Sequence, residues 1–165
     1  MDLLDQLLEH DQWATTTLLE QLGVLTEAQL DQPFDIGHRT IRATLAHQIA
    51  VLQFWLGFMT GQPAPPRPGP AALEHQIVEH ARLYAAFAQV ARRLRDEGRL
   101  DETFPDPAGY PMTFGGGILM LVFHHEGHRA EVLHMLSRLN DPALATLELD
   151  PGLWDFKRRG ISGDD

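Results

Sequence analysis

Four long stretches of this chain carry apolar residues at steps of three and four, and breaks rich in proline or glycine separate them. Such steps place the apolar side chains on one face of an α-helix, because each residue advances about 100° around the helix axis. The strongest break is residues 61–70, where five of ten residues are proline, a composition that neither a helix nor an interior strand tolerates. The pattern therefore predicts helices over about 2–22, 40–59, 71–97 and 114–139.

The lack of a strand pattern narrows the fold class further. No run alternates between polar and apolar residues over a useful length, so the predicted class is all-α, and four long amphipathic helices favour a four-helix bundle. A chain of 165 residues is most simply one domain, spanning residues 1–165. The tail over residues 141–165 is polar, but it holds three apolar residues from which we expect it to dock on the bundle: Leu153, Trp154 and Phe156.

Short-range signals mark where helices begin and end. Asp2 is predicted to cap the start of the first helix and Gly23 to end it. The sequence Thr26-Glu27-Ala28-Gln29 has the form of a capping box, which predicts a further short helical turn that ends before Pro33. Residues 99–113 are rich in proline and are predicted to form a loop.

Charge and composition argue against several classes of partner. A formal net charge of −10 and a single lysine argue against nucleic acid, because basic residues drive binding to phosphates. No uninterrupted apolar run of about 18 residues occurs, so no membrane span is expected. The first residues show no signal peptide, and the chain is therefore expected in the cytoplasm. Since the chain has no cysteine, any thiol chemistry must use a thiol that arrives from solution.

Three of the nine histidines form a candidate metal site. His124 and His128 are four residues apart, the spacing at which one helix presents two imidazoles to one metal ion. His47 lies in the middle of the second predicted helix, among neighbours that are nearly all apolar. Burying three imidazoles in one small core is costly unless something satisfies their lone pairs, and a divalent metal ion does so. The predicted ligands are His47, His124 and His128.

The spacing of the polar residues leaves several alternatives open. His125 also lies within reach of the face that carries His128 and is an alternative ligand. Glu131 lies on the stripe of His124 and His128. Four roles are open for its carboxylate: orienting an imidazole, binding the metal weakly, accepting a proton, or a surface position. Arg129 is expected to pair with an acidic neighbour, and His38 is interpreted as a cap or loop residue. The remaining histidines are predicted to be solvated: His10, His75, His80 and His134.

Several features of the chain occur together in one known family. A tryptophan in the first helix, a histidine in an apolar second helix and a His-x-x-x-His-Arg segment in the fourth resemble the DinB/YfiT-like superfamily over residues 3–139. In that family the fourth helix typically carries a histidine, three residues and His-Arg-Gly-Gln, followed by Met-Leu. The chain has residues 124–131 and then Met135-Leu136 at these places, and residues 109–113 look like the family's loop. Ala130-Glu131 replaces Gly-Gln, so the surroundings of the metal are expected to differ.

The resemblance implies a structure and a chemistry. It implies a four-helix bundle in up-down-down-up order, often a homodimer, with a divalent metal, commonly nickel or zinc, held by His47, His124 and His128. Members of the superfamily include transferases and isomerases that use low-molecular-weight thiols such as bacillithiol or mycothiol. By resemblance, the metal activates such a thiol to attack a small electrophilic substrate, and Glu131 is the most available catalytic proton acceptor. Candidate pocket residues are Trp13, Trp55 and Phe58.

Two other functions stay open at this point. A metal-dependent hydrolase would use metal-activated water as the nucleophile, and it predicts turnover without added thiol. A non-enzymatic metal- or ligand-binding protein, in which the ion mainly stabilises the fold, predicts a large loss of stability on chelation and no turnover.

Overall fold

The computed structural model of the chain describes residues 1–62, 71–139 and 147–161. Within these ranges there are six helices and one antiparallel pair of strands. The bounds of the four long helices differ from the predicted bounds by at most two residues. The elements are α1 (Leu3–Leu22), α2 (Glu27–Leu30), α3 (Ile41–Thr60), α4 (Leu73–Asp96), β1 (Thr103–Pro105), β2 (Pro111–Thr113), α5 (Phe114–Arg138) and α6 (Pro151–Arg158).

Side chains at the helix starts explain where the helices begin. In all the described helices except α4, an aspartate or threonine accepts a hydrogen bond from a backbone N–H of the first turn. Asp2 caps α1, as predicted, and the capping box between Thr26 and Gln29 is present in both directions. α1 stops at Gly23, although this glycine keeps a right-handed φ of −62°.

The direction of each helix follows from the residues that meet. From the start of α1 to its end, the residue numbers of its partners fall in α4 and rise in α5. The start of α3 lies beside the start of α4, and α3 runs against α5. The directions of α1, α3, α4 and α5 are therefore up, down, down and up, the order that the family resemblance implies. The contacts are Asp5–Arg92 and Leu8–Tyr84 (α1 with α4), Asp11–His125 and Thr15–Arg129 (α1 with α5), Arg42–Gln76 (α3 with α4), and Gln48–His125 and Met59–Gly117 (α3 with α5).

A layer of buried polar residues divides the core. One apolar cluster fills the end of the bundle that holds the strands, and the other fills the end that holds α2. Between them, each long helix turns one or two polar side chains inward at mid-height. The polar layer consists of Asp11 and Thr15 from α1, Gln48 from α3, His80 from α4, and His125 and Arg129 from α5.

The predicted loop over residues 99–113 contains the two strands, which form a short hairpin. Phe104 in β1 is buried, and its ring stacks on that of Phe114 at 5.0 Å between centroids. It also meets the ring of Trp55 edge-on, and this partly buried tryptophan packs against the apolar core. Each strand has three residues, too few for an alternating pattern to stand out in the sequence.

The described part of the C-terminal tail holds α6, which packs on α1. Trp154 is buried, and its ring meets that of His10 at 5.9 Å. His10 is partly buried, and its Nε2 lies 2.9 Å from the carbonyl oxygen of Leu149. The prediction that His10 is solvated was therefore wrong. The proline-rich stretch 63–70 and residues 140–146 and 162–165 of the tail lie outside the described residues. Among the helices of the described ranges, none has the length and apolar character needed to cross a bilayer.

Candidate metal centre

The middle of α5 presents polar residues on two different faces. Because residues four apart share a face of a helix, His124 and His128 lie on one face, and His125 and Arg129 lie on the next. His125 and Arg129 point into the polar layer, with 0% and 2% of their surface exposed. His124 and His128 lie beside α3 and stay partly exposed. Six consecutive residues of one helix therefore supply two separate sites.

Four histidines meet at the exposed side of α5, and they are named here the edge cluster: His38, His47, His124 and His128. Nε2 of His128 lies 3.1 Å from Nε2 of His124. The ring centroid of His47 lies 4.9 Å from that of His128 and 5.2 Å from that of His124. His38, from the loop between α2 and α3, stacks on His47 with the ring centroids 3.8 Å apart. The structure brings the three predicted ligands together and adds a fourth imidazole.

His38, which the sequence indicates as a cap or loop residue, has the position of a potential ligand. One ring nitrogen from each of His38, His47 and His128 lies within 4.8 Å of the others, and no other group of potential ligands in the described residues is as compact. The predicted set of His47, His124 and His128 does not meet this 4.8 Å limit, so the cluster contains two overlapping triads, and the one with His38 is the more compact. They share His47 and His128 and differ in whether His124 or His38 is the third member. His38 lies outside any helix, so no helical spacing links it to the others.

The donor set fits a divalent ion that prefers imidazole. Two imidazole nitrogens bound to one tetrahedral ion at about 2.0–2.1 Å lie about 3.3 Å apart, close to the 3.1 Å between Nε2 of His124 and Nε2 of His128. Burial lowers the pKa of His124 to about 4, and the nearby His128, His125 and His38 add to the shift. His124 is therefore neutral near pH 7, the state in which imidazole binds metals. Zinc, nickel, copper and iron all suit imidazole ligands.

Glu131 orients one of these imidazoles. Its Oε2 accepts a hydrogen bond of 2.7 Å from Nδ1–H of His128, which leaves the lone pair on Nε2 of that ring. A carboxylate in this position fixes the tautomer of a ligating histidine and raises its basicity. Of the roles that the sequence leaves open for Glu131, this geometry supports orientation of His128, and the role of proton acceptor stays a prediction.

A second group of polar residues lies at the neighbouring, inward face of α5 and is named here the interior cluster: Asp11, His80, His125 and Arg129. Asp11 accepts a hydrogen bond of 2.9 Å from Nδ1–H of His125 and pairs with the guanidinium of Arg129. Burial raises the pKa of Asp11, but the hydrogen bond from His125 and the charges around it outweigh burial, so the pKa lies below its ordinary value. His125 therefore faces away from the edge cluster, and the predicted pairing of Arg129 with an acidic residue is confirmed.

The prediction that His80 is solvated was wrong. Its sequence neighbours are charged, yet His80 is only 3% exposed and its ring stacks on Tyr84 at 5.7 Å. Charged neighbours do not show which face of α4 a residue occupies, and His80 lies on the inward stripe of that helix. Burial lowers the pKa of His80 to about 4, and His125 adds to the shift. By contrast, His75 and His134 are exposed, as predicted.

Asp11 was not among the predicted site residues, although the sequence carries a signal for it. An ionisable residue in the middle of an apolar stripe indicates a buried partner of opposite charge, because an unpaired carboxylate is costly to bury. The stripe of α1 has steps of three and four throughout: Leu4, Leu8, Asp11, Thr15, Leu18 and Leu22.

Comparison with known proteins identifies the family. No curated protein matches the chain at a significant level. The family model of the DinB superfamily matches residues 8–151 of the 165 residues, a range that includes both clusters and the whole of α3, α4 and α5. This match agrees with the all-α bundle and with its helix order. The chain belongs to the DinB superfamily.

Proposed function

We propose that this protein is a metal-dependent enzyme that transfers a low-molecular-weight thiol to a small electrophilic substrate. The observation that carries the proposal is the convergence of four imidazoles, one of them backed by a carboxylate, at a side of the bundle that solvent reaches. A divalent ion gives such imidazoles a common partner. The thiol chemistry is taken from the family resemblance.

His47 and His128 belong to both triads and are proposed as ligands in either case, with His124 completing the set that the resemblance implies. All three rings project from α3 and α5, whose packing in the core holds them in place. A divalent ion held there lowers the pKa of a thiol that binds it, so that the thiolate is available near neutral pH. Nickel and zinc are the proposed ions.

The thiol comes from solution, since the chain has no cysteine. In the proposed reaction the S–H bond breaks, a C–S bond forms with the electrophilic carbon, and the proton ends on the group that leaves that carbon. Glu131 is proposed as the first acceptor of this proton because its carboxylate lies beside His128. Bacillithiol and mycothiol are the proposed classes of thiol, and the homodimer and the cytoplasmic location accompany the proposal as predictions.

Metal content tests the proposal. Untagged wild-type protein is expected to hold about one divalent ion per chain after incubation with nickel or zinc. His128→Ala, which removes a member of both triads, is expected to lose the ion. His75→Ala is the matched control, because it removes an exposed histidine outside the cluster. Wild-type protein that binds neither metal would overturn the proposal.

Turnover then separates the candidate functions. Metal-loaded protein is assayed with small electrophiles in the presence and absence of a low-molecular-weight thiol, and turnover that needs both metal and thiol is expected. Turnover without thiol would favour hydrolysis by metal-activated water. No turnover with either class, together with a large loss of stability on chelation, would favour a non-enzymatic metal-binding protein.

A further inference from the structure

We infer that His38 is an exchangeable fourth ligand of the metal centre and that the thiol takes the coordination position that His38 gives up. The inference rests on the proposed function and goes further, because it names the ligand that leaves. Three observations carry it: the place of His38 in the edge cluster, the difference between the segments that hold the four rings, and the shape of the loop that carries His38.

His38 completes a set of four imidazoles around one volume. Its ring centroid lies 3.8 Å from that of His47 and 5.4 Å from that of His128, and His124 contacts the same two rings. Four ligands close a tetrahedral site, whereas catalytic zinc sites keep one position for water or substrate. If all four imidazoles held a tetrahedral ion, release of one of them would free the position that a substrate needs.

The four rings are held by segments of unequal stability. His47, His124 and His128 project from long helices that pack in the core, and each ring is partly buried. His38 projects from a loop and is exposed. Exposed segments with few buried contacts open at a lower free energy than packed helices do. His38 is therefore the ligand that leaves at the lowest cost.

The backbone of the loop is shaped around His38. Its two neighbours, Gly37 and Arg39, have positive φ angles of 52° and 73°, and Arg39 is the one non-glycine residue with a positive φ in the described part of the chain. This conformation is unfavourable for a non-glycine residue, and such strain concentrates at functional sites. At the base of the loop, the N–H of buried Phe34 donates to the carbonyl of Arg39 at 2.6 Å. The loop is thus tied at its base and turns its tip toward the cluster.

The loop tip also touches the carboxylate that orients His128. A Cβ added to Gly37 would lie 2.7 Å from Cδ of Glu131, so the backbone of residue 37 packs directly against this side chain. Displacement of the tip therefore opens a coordination position and uncovers Glu131 in one movement. The exchange breaks no covalent bond of the protein, and the S–H proton of the entering thiol passes first to the carboxylate of Glu131.

Cobalt(II) spectroscopy tests this inference without relying on activity, because the d–d bands of cobalt report the number and kind of its ligands. Wild-type protein, His38→Ala and the exposed control His75→Ala are loaded with cobalt(II) and titrated with 2-mercaptoethanol, and the sulfur-to-cobalt charge-transfer band is followed. His38→Ala is expected to change the d–d bands before thiol is added and to weaken cobalt binding about tenfold or more. It is also expected to bind the thiol at a severalfold lower concentration, since no imidazole has to leave, and His75→Ala is expected to match the wild type.

The outcomes separate the inference from the proposed function. Identical d–d bands and thiol midpoints in wild type and His38→Ala, with cobalt bound by both, would overturn the inference and leave the metal centre intact. Wild-type protein that takes up no cobalt would overturn both. Because His38 is exposed, its replacement leaves the core unchanged, which thermal unfolding of the metal-free proteins checks.

Discussion

The edge cluster and the interior cluster use neighbouring residues of α5 in opposite ways. His124 and His125 follow each other in the sequence, yet His124 faces other imidazoles beside solvent, and His125 faces a carboxylate in the core. The interior imidazole finds its partner within the protein. The edge imidazoles converge on a position that an ion from outside can fill. The difference shows that the chemistry of a histidine depends on which neighbouring helix supplies its partner.

The interior cluster also supports the helices that carry the proposed ligands. Asp11 connects α1 to α5 at His125 and Arg129, each of which directly follows a histidine of the edge cluster. Gln48, which follows His47, donates a hydrogen bond of 3.2 Å to the carbonyl of His125 and connects α3 to α5. Buried polar contacts of this kind restrict helix movement, so the interior cluster is expected to govern stability and the edge cluster metal binding.

The largest expected effect is on stability, when the interior cluster is broken at Asp11. Asp11→Ala leaves the buried cation of Arg129 without its main partner, which costs about 3–5 kcal/mol. The measurement is urea unfolding of the metal-free protein. The control is Asp35→Ala, which removes an exposed ion pair with Arg138 and is expected to leave the free energy of unfolding almost unchanged. Equal losses in the two variants would contradict the importance assigned to the interior cluster.

Acid is expected to have the next largest effect, through His80. Burial lowers the pKa of His80 to about 4 in the folded protein, against an ordinary value of 6.5. Between these values, His80 binds a proton in the unfolded chain but not in the folded protein. The stability of the metal-free protein is therefore complete above about pH 6.5 and falls, by up to roughly 3 kcal/mol, as the pH decreases to about 4. Urea unfolding across this range checks the direction. His80→Phe is expected to show a smaller decrease and exposed His134→Ala the full one, and equal slopes for all three would refute the assignment to His80.

The smallest expected effect on stability comes from the edge cluster, at Glu131. Glu131→Gln keeps the shape of the side chain but removes the charge behind His128, so metal affinity is expected to fall about 10- to 100-fold. The free energy of unfolding without metal is expected to change by about 0.5 kcal/mol or less. Glu126→Gln, also on α5, is the control and is expected to keep wild-type affinity, since Glu126 pairs with Arg129. Metal competition titrations measure the affinities, and reduced turnover at full metal loading would identify Glu131 as the proton acceptor instead.

The helices were predictable because their signals are local. Apolar steps of three and four, with caps such as Asp2 and Thr26, depend on residues within one or two turns. The hairpin and α6 were missed because elements of three to eight residues carry too little periodicity. His80 was misjudged for a related reason, since charged sequence neighbours do not report the inward face of a helix.

The sequence by itself determined that this chain is an all-α bundle, that His124 and His128 share a face of α5, and that His47 lies on a helix able to meet them. Each of these follows from the geometry of a single helix and from the burial of its apolar face. Only the tertiary structure decided that His125 belongs to the interior, because Asp11 reaches it from another helix. The arrival of His38 at the cluster likewise depends on a loop folded against α5, a contact between segments far apart in the chain that no local spacing encodes.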